Sequence, residues 1–153
     1  MAKFIYKLQN ILEIKNKMER QAKSVYAEAN LKLNQEQEKL EQMIIEKKRL
    51  EDHYRELATG TLAPLALKES RRAIDFQRER IKGQLVEIRV AQKNLDLARA
   101  RLSEAVKERK THEKLRENAF EEFLAELSAE EKKEIDEVVS YRFGAEKEDL
   151  KEN

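Results

Sequence analysis

The sequence predicts an all-α fold, a long two-helix antiparallel coiled-coil hairpin with a short C-terminal helical extension. Three observations predict it. Ile74, Ile81, Ile88, Leu95 and Leu102 fall seven residues apart with no proline between them, the period at which a helix keeps one edge toward a partner. Charged residues make up 41% of the chain, against three glycines and one proline, a composition characteristic of long helices and coiled coils. The concentrated interior break is Thr59-Gly60-Thr61-Leu62-Ala63-Pro64. At 153 residues the chain is expected to form a single hairpin domain.

The first helix is expected over residues 4–58, where nothing interrupts a seven-residue register. One inward row reads Ile5, Leu12, Glu19, Tyr26, Leu33, Leu40, Lys47, Tyr54. Its companion reads Leu8, Lys15, Ala22, Ala29, Glu36, Met43, Leu50, Leu57. At 1.5 Å per residue such a helix is roughly 80 Å long.

Residues 59–64 are read as the turn. Gly60 suits the left-handed position after a helix end, Thr61 can cap the next helix, and Pro64 belongs in a first turn. A short connection makes the helices antiparallel neighbours.

The second helix is expected over residues 65–127. With the turn centred on residue 62, facing residues have numbers adding to about 124. Met43 then meets Ile81, Leu50 meets Ile74, Ala29 meets Leu95 and Ala22 meets Leu102, while Leu33 meets Ala91 and Tyr26 meets Ala98. From Ala22 to Leu33 large side chains face small ones in four consecutive layers, as close packing requires. Gly83 inside this helix costs about 1 kcal/mol relative to alanine and marks a place for a slight bend.

Toward the open end the seam turns polar. Lys15 would face Arg109 and Leu8 would face Arg116, so these cations must reach outward to Glu13, Glu19 or Glu113. Apolar packing resumes where Phe4, Ile5 and Leu8 meet Ala119, Phe120 and Phe123. Ser128-Ala129-Glu130-Glu131 reads as a capping box for a helical extension over 128–143, either a bend near Ser128 or an unpartnered overhang. Gly144 is expected to end it, leaving 144–153 as a charged tail.

Composition excludes several kinds of chemistry. No cysteine is present, so disulfides and thiolate metal sites are absent. The three glycines stand apart, so no glycine-rich phosphate loop exists. His53 and His112 are far apart, and His112 falls on a seam row opposite Leu12 as a half-buried histidine rather than a ligand. No serine has a His or Asp arrangement that would activate it. No catalytic residue, metal or cofactor is expected, and the chain does not read as an enzyme. The net charge of +1 gives no bias toward nucleic acid. No segment reads as a signal peptide or an integral membrane span, and the expected location is cytoplasmic.

What remains is a binding surface. Between Lys68 and Arg101 there are ten basic and five acidic residues, whereas Ser128 to Asn153 holds nine acidic and five basic. Leu31, Ile45, Val86, Val90 and Leu97 lie off the seam as candidate contact residues.

Three stretches carry a family resemblance. They are Phe4-x-x-x-Leu8-Gln9-x-x-Leu12-x-x-Lys15; Lys107-Glu108-Arg109-Lys110 with Glu113-Lys114-Leu115-Arg116-Glu117; and Lys133-Glu134-Ile135-Asp136-Glu137-Val138-Val139-x-Tyr141-x-Phe143. In order, spacing and total length the chain resembles the flagellar export protein FliJ family, over essentially its whole length. The resemblance implies a non-enzymatic stalk of the type III export apparatus. Such a stalk inserts into the ring of the export ATPase FliI, contacts the export gate protein FlhA, and escorts export chaperones. It also implies a monomeric hairpin held at the cytoplasmic face of the membrane at the flagellar base. By the same analogy Lys15, Arg109 and Arg116 face the ATPase, and Met43, Leu50, Tyr54 and Phe76 face the gate. Tyr54 matches a family tyrosine near the turn, whereas the aromatic residues of many relatives at the start of helix two are reduced here to Phe76.

Two other readings fit the pattern. One is the equivalent stalk of a virulence-type secretion system, separable by genomic neighbours. The other is a generic structural coiled coil, which should carry seams that continue onto a second chain.

Overall fold

The computed structural model describes residues 3–60, 63–127 and 129–152, apart from the side chains at 129, 130, 143 and 145–152. Three helices follow in order: α1 (Gln9–Thr59), α2 (Pro64–Glu126) and α3 (Ala129–Glu152). No strand occurs among the described residues. α1 and α2 run antiparallel, and their residues group into two compact units, Met18–Ala105 and the pair of segments Met1–Lys17 and Val106–Asn153.

In the unit Met18–Ala105 the inward rows are those the heptad register names. Leu33, Ala91 and Leu95 are buried together, with Tyr26, Ala29 and Ile88 packed against them. Leucine at 33 against alanine at 91, and leucine at 95 against alanine at 29, lets two backbones approach without a void. Nearer the turn the α2 row carries glutamines instead of alanines. Gln77 Nε2 donates to the backbone carbonyl of Met43 at 2.9 Å. Seven residues on, Gln84 Nε2 donates to the carbonyl of Glu36 and to its carboxylate, both at 2.7 Å. These carbonyls lie in mid-helix, so the glutamines use the second lone pair that the helix leaves unused.

Glu36 itself is only 4% exposed. Lys32 lies 2.9 Å and Lys39 3.1 Å from its Oε1. Hydrogen bonds from Lys32, Gln84 and Lys39, in that order, hold its carboxyl well below the usual range, at about 2. A buried carboxylate is tolerable on a seam only because its acceptor sites are occupied in this way.

The ends of α1 and α2 differ from the sequence expectation in identifiable ways. Residues 3–6 are not helical, and α1 starts at Gln9 instead of Phe4. Gln9 N donates to Tyr6 O at 3.2 Å, and Leu8 O accepts from Ile11 and Leu12 at 3.0 and 3.1 Å. Packing of the Phe4 ring, described below, holds this lead-in off the helical path. At the turn no described glycine has positive φ, so Gly60 is not left-handed. The Thr59 hydroxyl instead donates to the Glu56 carbonyl at 3.0 Å and closes the last turn of α1. Thr61 lies outside the described residues. Pro64 opens α2, where its missing N–H removes nothing, and Leu67 N donates to Ala63 O at 3.0 Å.

α2 passes through Gly83 without interruption, and nothing lies within 4 Å of where a Cβ would sit there. α2 and α3 are separated at Leu127, which is not helical; Ser128, the first residue of the expected capping box, lies outside the described residues. α3 does not stop at Gly144 but runs on to Glu152, so the expected charged tail is helical. One glycine costs about 1 kcal/mol in a helix interior, which the strong helix formers after it, Ala145 to Glu148, help to offset.

Candidate functional site

The open-end unit holds the basic layer singled out by sequence. Lys15 and Arg109 do not oppose one another as bare cations. Lys15 Nζ lies 2.9 Å from Glu108 Oε2 across the seam. Arg109 Nη1 lies 2.8 Å from Glu113 Oε2, one turn along its own helix. The outward reach of Arg109 to Glu113 follows the expectation, but Lys15 takes Glu108, not Glu13 or Glu19. Both cations are half-buried, a setting in which pairing is required rather than optional. Leu12 is buried in this unit, and His112 is half-buried with its Nδ1 enclosed and lacking a hydrogen-bond partner.

Arg116, the third candidate, is exposed. It makes no hydrogen bond or ion pair among the described residues. It stands beside an aromatic cluster. Phe4 meets Phe120 edge-on, with ring centroids 5.1 Å apart and planes at 73°. Phe4 also lies 5.3 Å from Phe123, and Phe120 and Phe123 stack at 6.3 Å. Ile5, expected in this cluster, is 75% exposed, because the non-helical lead-in turns its side chain away as Phe4 turns in.

The candidates near the turn do not form one surface. Met43, Leu50 and Tyr54 are half-buried along the seam, whereas Phe76 is 67% exposed. Phe76 sits two residues past the buried Ile74, on the far side of α2 from the seam. Tyr54 borders an open recess with Arg55, Arg71, Asp75 and Arg78. Met43 borders a different one, with Glu46, Gln77 and Arg80. Leu31, Ile45, Val86, Val90 and Leu97 are exposed, as their off-seam positions imply.

Among the described residues no group of three His, Asp or Glu side chains could hold a metal ion. No helix among them is long and apolar enough to cross a membrane.

The family model described as flagellar FliJ protein matches residues 4–148. The chain belongs to the FliJ family. Membership makes it a non-enzymatic, helical stalk-type protein of the export family, with protein transport as its setting. A solved structure described as a YscO homologue, CT670, from Chlamydia trachomatis shares the fold, with a TM-score of 0.68 and 24% identity over 95% of this chain and 99% of that one. No curated protein matches the chain.

Sequence reasoning missed Glu108 as the partner of Lys15 in this FliJ-family protein. Its signal was present: Glu108 adjoins Arg109 on the seam edge, within reach of a long lysine. The glutamine contacts were also missed, since a heptad pattern says which residues point inward and not what their polar ends touch.

Proposed function

We propose that this FliJ-family protein is the stalk of a flagellar type III export apparatus, linking the FliI-type ATPase ring to the FlhA-type gate and escorting export chaperones. Family membership over residues 4–148 is the observation that carries the reading. The geometry supports it in two respects. The inward rows of Met18–Ala105 combine apolar layers with backbone-directed glutamines, which stiffens a long element against twisting. The open-end unit presents Lys15, Arg109 and Arg116, suited to acidic groups lining a ring pore through charge-assisted, salt-sensitive contacts. Met43, Leu50, Tyr54 and Phe76 are assigned to the gate. A chain with these roles works at the cytoplasmic face of the membrane without entering it.

The test is retention of the purified chain by the export ATPase from the same genome, together with swimming. The Lys15→Leu, Arg109→Leu variant is expected to melt no lower than wild type, yet to lose stimulation of ring assembly and to leave a null strain non-motile. Full swimming by that variant would assign the basic layer to solvated surface. Failure of the wild-type chain to restore swimming, with restored effector export in a virulence-type system, would favour the second kind of stalk.

A further inference from the structure

The aromatic cluster of the open-end unit is not a closed core. Phe4, Arg116, Glu117 and Phe120 line a recess of about 350 Å³. Phe120 remains 40% exposed on its wall, and Leu8 and Leu115 are exposed nearby. A closed structural cluster would cover its rings, whereas Phe120 stays partly open to solvent here. The recess has room for one large side chain and not for a folded element.

Its two charged residues, Arg116 and Glu117, differ in what they touch. Glu117 Oε2 lies 3.4 Å from Lys114 Nζ, Glu113 is held by Arg109, and Glu108 by Lys15. Arg116, on the wall of the recess, makes no hydrogen bond or ion pair among the described residues. On the other side of Phe4 the lead-in carries a second mark. The Tyr6 hydroxyl is enclosed and has no hydrogen-bond partner, which is rare for a buried polar group and leaves a donor available to a backbone carbonyl. Tyr6 lines a second recess there, with Phe4, Ala119, Glu122 and Phe123.

We propose that the Phe4–Phe120 recess is the anchor point for an acidic segment of the export ATPase, which inserts one large apolar side chain against Phe120 and places a neighbouring carboxylate on Arg116. An arginine guanidinium binds a carboxylate through two parallel N–H donors, and the adjoining aromatic walls exclude water from that pair. Apolar anchors set in a pocket and ringed by charge are the usual form of an interaction hot spot. The inference rests on the reading that the open end meets the ATPase, and adds which residues hold it and what chemistry they select.

The experiment is calorimetric titration of the full chain with the purified export ATPase from the same genome. Arg116→Glu, at an exposed helical position, is expected to weaken binding at least tenfold at low salt, with Arg116→Lys recovering only part. Phe120→Ala should weaken it comparably at every salt concentration, with the helical circular dichroism signal retained. Arg89→Glu, the same charge reversal in the other unit, should leave affinity unchanged. Wild-type protein that fails to bind the ATPase overturns the ATPase reading itself. Wild-type binding that neither Arg116→Glu nor Phe120→Ala weakens overturns the recess alone. Loss in Arg116→Glu without loss in Phe120→Ala overturns the inserted apolar side chain. Reversing one acidic residue of the ATPase so that Arg116→Glu binds again would identify the carboxylate.

Discussion

Leu95 and Leu97 stand two positions apart on α2, one 4% and the other 49% exposed. Truncating each to alanine removes the same three carbons, so their difference isolates the seam. At about 0.8 kcal/mol per buried methylene, Leu95→Ala loses about 2–2.5 kcal/mol of transfer free energy. The void against Leu33, Ala91, Tyr26, Ala29 and Ile88 adds a cavity term. A two-helix seam is open along both edges and can partly collapse, which keeps the total near the lower end of the leucine-to-alanine range, about 2.5–3.5 kcal/mol. Urea unfolding followed by circular dichroism should show this as a midpoint lower by more than about 1 M, at an ordinary slope of 1–3 kcal/mol per M. Leu97→Ala should stay within about 0.5 kcal/mol of the parent, as surface substitutions do. Equal midpoints for the two variants would refute the assignment of Leu95 to the packed row.

Three further outcomes follow from the same structure. Because the Glu36 carboxyl is held at about 2 in the folded chain against 4.5 ordinarily, its contribution to stability is complete above pH 4.5 and is lost as pH falls from there toward 2; Glu36→Gln should flatten the urea midpoint across that window. Gln84→Leu takes the donor from the buried Glu36 carboxylate oxygen and should lower the melting temperature, whereas Gln84→Leu with Glu36→Leu should recover most of the loss, since the buried carboxylate goes with its donor. Gly83→Ala should stabilise the chain by about 0.5–1 kcal/mol, because the added methyl meets open space on a regular helix; a lowered melting temperature would show that α2 needs its glycine.

Periodicity made the hairpin legible because burial on a two-helix seam is almost wholly a matter of which edge faces inward. Leu33, Ala91, Leu95 and Ala98 are buried where a spacing of seven puts them. The polar layers were less legible. Glutamine on a small-residue row carries no pattern of its own, and only the geometry shows Gln77 and Gln84 reaching main-chain carbonyls. The basic layer was visible as Lys15 opposite Arg109, but its resolution into two separate pairs depends on side-chain reach. Ends were hardest: Phe4 to Tyr6 fit the helical register, and only the ring contacts with Phe120 and Phe123 draw them off it. The open recess beside those rings had a trace in sequence, a lone early phenylalanine matched to two late ones three apart.

The two glutamine bonds are made to main-chain oxygens, and the chain presents one of those at every residue. Gln77 and Gln84 are spaced by seven, as are their acceptors at Met43 and Glu36. The pairing is therefore indifferent to which heptad it engages, and side-chain size and the Glu36 carboxylate select the actual one. Matched insertions of seven residues, one in each arm between these rungs and the turn, would leave every inward position facing inward. Each such pair would carry the tip about 10 Å farther from the rungs. Reach in this fold is thus an extensible quantity, adjustable in fixed increments without rewriting the surfaces that meet partners.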